Sequence, residues 1–126
     1  MKNLVTAVLI AGLTALTTFG AQADTSSTFT GASDHITTGK VTIVRNDDGT
    51  ATVTLHEDFS LDGAPDPRVG FGKDGEYALE ADLGALKNLT GKQTYIVPAS
   101  VNLDDYNEIY IWCLKFSVPL GVAALN

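Results

Sequence analysis

The sequence predicts an all-β fold, an antiparallel β-sandwich or barrel-like single domain. Three observations carry this reading: short runs in which apolar and polar residues alternate with period two, turn chemistry between them at intervals of about ten residues, and no segment with a sustained helical period. Repeats, low-complexity tracts and interdomain linkers are absent from the sequence.

Before the first strand comes a leader. Met1 and Lys2 are a short basic start, Leu4 to Leu16 is an apolar run interrupted only by threonines and one glycine, and Ala21-Gln22-Ala23 offers the small residues a signal peptidase accepts. Residues 1–23 therefore read as a secretory signal peptide and 24–126 as the β domain. The apolar run is shorter than the roughly 20 residues that span a bilayer, and no later stretch reaches that length, so no membrane span is expected. The destination is extracytoplasmic, periplasmic or secreted. The chain has 8 basic and 15 acidic residues. Loss of Lys2 lowers the basic count by one, and the resulting excess of negative charge disfavours nucleic acid and anionic membrane surfaces as partners. A single cysteine in an exported chain excludes an internal disulfide framework, so the core alone must hold the fold.

Each strand has its own signal. Thr28-Phe29-Thr30-Gly31 reads as a short first strand leading into Ala32-Ser33-Asp34-His35. Lys40 to Arg45 and Thr50 to Leu55 alternate, with Val41, Ile43, Ala51, Val53 and Leu55 inward, and Asn46-Asp47-Asp48-Gly49 between them makes the clearest hairpin in the chain. Leu61 to Pro67 holds two prolines and a glycine and cannot continue a ladder. Arg68 to Gly72 is a short strand, Lys73-Asp74-Gly75 a turn, and Leu83, Leu86 and Leu89 fit either one helical turn or a loop packed on the core. Gln93 to Val97 is a strand stopped by Pro98. Two further strands close the chain, interrupted near Pro119 and Gly121.

The first of these last two is the most informative. Ile109 to Leu114 is unbroken apolar, which requires cover on both faces; alternation puts Ile109, Ile111 and Cys113 on one side and Tyr110, Trp112 and Leu114 on the other. The sole tryptophan and the sole cysteine are thus adjacent on one strand.

Gly31 with His35, Glu57-Asp58-Phe59, Gly63-Ala64-Pro65-Asp66, Gly91 with Tyr95 and Pro98, and Ile111-Trp112-Cys113 followed by Phe116, Val118, Gly121 and Ala123 together resemble the DM13 domain, a small extracytoplasmic module also found beside DOMON domains. The resemblance covers most of the mature chain. It implies electron transfer or redox chemistry with Cys113 as the redox group, and a redox partner protein or envelope ligand. The sequence departs from the family where Pro67 follows Asp66 in place of a leucine, which removes an amide beside that aspartate.

The residues themselves leave two readings of Cys113: a small apolar core thiol, or a reachable redox group. Alternation places Lys115 on the same face, where its charge, or that of His35, would favour a reactive thiolate in a partly accessible site. Binding residues on this view are Trp112, Tyr110, His35, Asp66 and Lys115. His35 lies in a polar run suited to capping a turn or binding an ion, whereas His56 at a strand end reads as solvated. No metal is assigned: Cys113 lacks the nearby histidine and methionine of a blue-copper site, there is no Cys-x-x-Cys-His for covalent haem, and Asp58, Asp62 and Asp66, which recur every fourth residue in a loop that could wrap calcium, do not follow the EF-hand order and are explained by turn formation without an ion. The cofactor stays undetermined, with neither copper nor haem expected on the isolated domain. The second function class is a non-enzymatic envelope module that binds a ligand or protein through an exposed Tyr110 and Trp112 face. Export predicts that the mature protein begins at Asp24; mass spectrometry of the cell-envelope protein should find that N-terminus, and an intact Met1 would refute it.

Overall fold

The hairpin around Asn46 is where local chemistry shows most directly in the computed structural model, which describes residues 25–125; the signal peptide expected over 1–23, with its expected cleavage point, lies outside those residues. Strand β1 spans Thr25–Thr28, β2 Thr30–Gly31, β3 Thr37–Thr38, β4 Lys40–Arg45 and β5 Ala51–Leu55. Strands β4 and β5 pair with Val41 opposite Leu55 and Ile43 opposite Val53, so four apolar side chains face one way. The turn closes through Asn46 N–H to the Thr50 carbonyl and Thr50 N–H to the Asp48 carboxylate. Gly49 sits at φ +89°, a left-handed conformation that glycine adopts without cost.

The remaining strands are β6 (Ser60–Leu61), β7 (Pro67–Lys73), β8 (Glu76–Ala85), β9 (Gln93–Val97), β10 (Glu108–Cys113) and β11 (Val118–Ala124), with one 3-10 turn at Leu103–Asp105. They form a four-stranded sheet in the order β1-β4-β5-β9, a five-stranded sheet in the order β2-β11-β10-β7-β8, and a small β3-β6 ladder. All pairings are antiparallel. The two larger sheets lie face to face as a sandwich. The core between them holds Val41, Ile43, Val53, Leu55 and Val97 from one sheet and Val69, Phe71, Ile109, Ile111, Cys113 and Leu120 from the other. No helix of the described residues is long and apolar enough to cross a membrane.

Four departures from the expected elements have physical causes. The first strand is split: Phe29 turns its ring into the core against Phe59, 5.7 Å between centroids, and the chain changes sheet there, with β1 on one side and β2 on the other. The segment holding Leu83 is neither helical turn nor loop but the end of the ten-residue strand β8. Its alternation is hidden because Ala78 to Ala81 bulge out: Gly72 pairs with Tyr77 and Gly70 with Asp82, so four residues of β8 span one of β7. Near Pro119 and Gly121 strand β11 is continuous, with Leu120 as an extra residue between the pairs Trp112–Pro119 and Ile111–Gly121. Finally β10 ends at Cys113. Leu114 belongs to the following turn and is exposed, and Glu108 takes its place on the Tyr110 and Trp112 face.

Pro67 opens β7, a position where a missing amide costs no ladder bond. Ile111 is fully buried in the core between the two sheets. Ile111→Ala should cost about 2–5 kcal/mol in urea unfolding with an unchanged slope.

Candidate functional site

The outer face of the five-stranded sheet carries an aromatic cluster that begins with two missing side chains. Along β7 the outward residues are Arg68, Gly70 and Gly72, directly opposite Trp112, Tyr110 and Glu108 of β10. A Cβ on Gly70 would overlap the Tyr77 hydroxyl, and one on Gly72 would overlap the Tyr110 ring. The two glycines therefore leave a bare strip of backbone on which the rings lie. Tyr77, carried over that strip by the bulge of β8, stacks on Trp112 with 4.5 Å between centroids and 2° between planes. Tyr110 meets both rings edge-on, at 5.6 Å from Tyr77 and 6.1 Å from Trp112. Edge-on and stacked contacts of this kind are each worth about 0.5–1.5 kcal/mol beyond the area they bury.

One carboxylate organises the polar rim. Asp82 accepts from the Tyr77 hydroxyl at 2.7 Å, from Arg68 Nη2 at 2.8 Å and Nε at 3.3 Å, and from the Gly84 amide at 2.8 Å. Burial works to raise its pKa, but the hydrogen bonds from Arg68 and Tyr77 outweigh that, and the carboxyl titrates below its ordinary range. Tyr77 moves the other way: burial first, then the neighbouring Asp82 charge, holds its proton well above the usual phenol range. Tyr110 is pushed up to about 12 by burial and by Glu108, to which its hydroxyl donates at 3.0 Å. The Trp112 indole Nε1 is buried and finds no acceptor among the described residues. An indole N–H without a partner is a rare expense in a folded protein.

Cys113 is on the opposite face of the same strand. Its side chain is 1% exposed, and Sγ donates to the Pro65 carbonyl at 3.1 Å. The partly accessible thiol expected from the sequence is therefore corrected to a buried one. Lys115 does not share its face either, because β10 has ended; it lies in the turn, with Nζ 5.6 Å from the Phe116 ring. His35 Nδ1 is 2.8 Å from Asp62 Oδ1, and the Asp62 carboxylate also takes the Ile36 amide at 3.1 Å. Asp66 is exposed at φ +49° and its carbonyl accepts from the Leu114 amide. The structure thus brings Tyr110 and Trp112 together. It leaves Cys113 beneath them, and it ties His35, Cys113 and Asp66 to successive points of the 62–66 loop rather than to one another. Asp58, the third aspartate of that series, accepts from the Lys40 amide. No group of three or more metal-ligating side chains is assembled among the described residues.

Sequence reasoning missed Tyr77, Arg68, Asp82 and the two glycines. Its available signal was Gly-x-Gly on one strand and Tyr-x-Trp on another, a pattern that means rings lying over bare backbone only once the two strands are known to be neighbours.

The raised phenols set an alkaline limit. Unfolded tyrosines ionise near pH 10, so Tyr77 and Tyr110 contribute stability that is complete below about pH 10 and lost as pH rises toward their folded values. Tyrosinate absorbance of the folded protein should stay low past pH 10 and then rise together with loss of the aromatic circular dichroism. A smooth titration centred near 10 with the fold intact would contradict the buried cluster.

A family model described as electron transfer DM13 matches residues 28–125. No curated protein and no solved structure matches the chain. The Ile111-Trp112-Cys113 run, the two packed sheets and the match over nearly all of the described residues lead to one conclusion: the chain belongs to the DM13 family.

Proposed function

We propose that this chain is an exported domain that exchanges single electrons with a redox partner protein, by way of the Tyr110 and Trp112 face and with Cys113 as the interior redox group. The observation that carries the reading is the placement of Trp112 and Cys113: consecutive residues of β10, one stacked in the aromatic cluster on the outer face and the other sealed in the core. A sulfur with 1% exposure is closed to attack by a partner's thiolate, which favours passage of an electron over exchange of a disulfide. The family's description as electron transfer supports the class of activity. The basic start, apolar run and Ala21-Gln22-Ala23 support an extracytoplasmic location. His35, Asp66 and Lys115 have a different place in this reading, at the loop and turn that flank the buried sulfur.

A second reading, a module that binds a partner or ligand without electron exchange, is favoured by Phe116, 61% exposed in the turn that leaves the Trp112 end of β10. Voltammetry of the wild-type and Cys113→Ala proteins separates the two. Electron exchange is expected in the wild type and its loss in a normally folded Cys113→Ala. Absence of any exchange in the wild type leaves the binding module. In the same preparation a thiol probe should label Cys113 only when denaturant opens the fold; fast labelling of the native protein would put the sulfur at the surface and replace electron passage by disulfide exchange.

A further inference from the structure

Stacking alone does not let an aromatic side chain give up an electron and hold the vacancy. Oxidation makes a phenol or an indole strongly acidic, so the vacancy settles where a base stands ready for the proton. The three rings differ in this respect. Trp112 has no acceptor for its indole N–H among the described residues. Tyr110 donates to Glu108 at 3.0 Å, and that same oxygen also takes the Gly75 amide. Tyr77 donates to Asp82 at 2.7 Å, the shortest of the cluster's hydroxyl bonds, and it lies plane to plane on Trp112, the best orbital overlap on this face.

Building on the reading that electrons cross this face on their way to Cys113, we propose that Tyr77 is a redox relay on it, surrendering one electron to a one-electron oxidant at the surface while its phenolic proton passes to Asp82. The step balances. The phenol and the carboxylate become a neutral tyrosyl radical and a carboxylic acid, the oxidant gains one electron, and reduction of the radical returns the proton along the same bond. Arg68 contributes as a positioning residue: Nη2 holds Asp82 Oδ1 while Nε shares Oδ2 with the phenol, which fixes the carboxylate with Oδ2 directed at Tyr77. The Gly84 amide steadies the other oxygen. Gly70 is the opening in the sheet that lets the hydroxyl reach Asp82 at all. A proton acceptor built in at hydrogen-bond distance needs no movement at the moment of transfer. The buried thiol below plays no part in this proton movement, since its hydrogen bond goes to a carbonyl on the far face.

The test uses the whole mature protein and a photogenerated ruthenium(III) polypyridyl complex as the one-electron oxidant. Paramagnetic resonance should show a neutral tyrosyl radical, and infrared difference spectra should show a protonated carboxyl band rising with it. Tyr77→Phe keeps the stack and should remove that tyrosyl signal. Asp82→Asn should abolish the carboxyl band and slow radical formation by about a hundredfold, the scale of a positioned proton acceptor. Because Asp82→Asn also perturbs the Arg68 contact, the wild type serves as its own check: radical formation should be slower in deuterium oxide. The proposal is overturned by a tyrosyl signal of full strength in Tyr77→Phe, by an indole radical in the wild type, or by formation in deuterium oxide at the rate seen in water. Those outcomes remove Tyr77 and leave electron passage through Trp112 to Cys113 standing. Loss of voltammetric exchange in Cys113→Ala bears on that broader reading and leaves the photochemical result at Tyr77 unchanged.

Discussion

A strand with apolar side chains on both faces must be covered twice, and β10 imposes that demand on the rest of the domain. Its inner residues Ile109, Ile111 and Cys113 are covered by the four-stranded sheet, the ordinary solution of a sandwich. Its outer residues Tyr110 and Trp112 have no third sheet to meet. The ring that covers them is Tyr77, delivered across β7 from the edge strand β8. Two features make that possible. β8 gains extra length by bulging over Ala78 to Ala81, and β7 presents glycine at the two positions where a side chain would collide with the rings. Remove either and the outer face of β10 is left to water.

Covering a strand with tyrosine rather than leucine introduces a hydroxyl into a dry place, and burial of an unpartnered hydroxyl is costly. Asp82 resolves this for Tyr77, and Arg68 in turn resolves the charge of Asp82. The three form a closed chain of donors and acceptors at the rim, and their pKa directions express it: phenol up, carboxyl down, guanidinium up. A network so arranged stabilises the fold only while the carboxylate is charged and the phenol is not, a condition met across the neutral range. The indole of Trp112 stands outside that satisfaction, with its N–H buried and unpaired among the described residues. Groups of opposite proton affinity held at hydrogen-bond distance occur in sites that move protons and in structural networks alike; this one is set apart by the ring stack beside it.

Cys113 gains its significance from where it is not. It belongs to no group of three or more metal-ligating side chains among the described residues, it is buried, and its S–H has a carbonyl as partner. The 62–66 loop closes over that end of the strand and is fastened at three points, by His35 and Ile36 at Asp62, by the thiol at Pro65 and by the Leu114 amide at Asp66. Strand and loop together shut the sulfur off from solvent.

The local sequence determined the hairpin over Lys40–Leu55, the strands at Gln93–Val97 and around Ile109, the turns at Gly49 and Gly75, and the all-β class, because each depends on period-two alternation and turn chemistry within a few residues. Family resemblance, resting on Ile111-Trp112-Cys113 and its companions, was legible for the same reason. Three matters were decided by the tertiary structure alone. Phe29 splits the first strand because two sheets compete for the chain at that point. The end of β8 escapes period-two reading because a bulge shifts its phase. Most of the candidate site was hidden because Tyr77, Asp82, Arg68 and Gly70 are brought together by strand pairing, and which residues of one strand lie opposite which of another is set by register, a property of the folded sheet that no single segment carries.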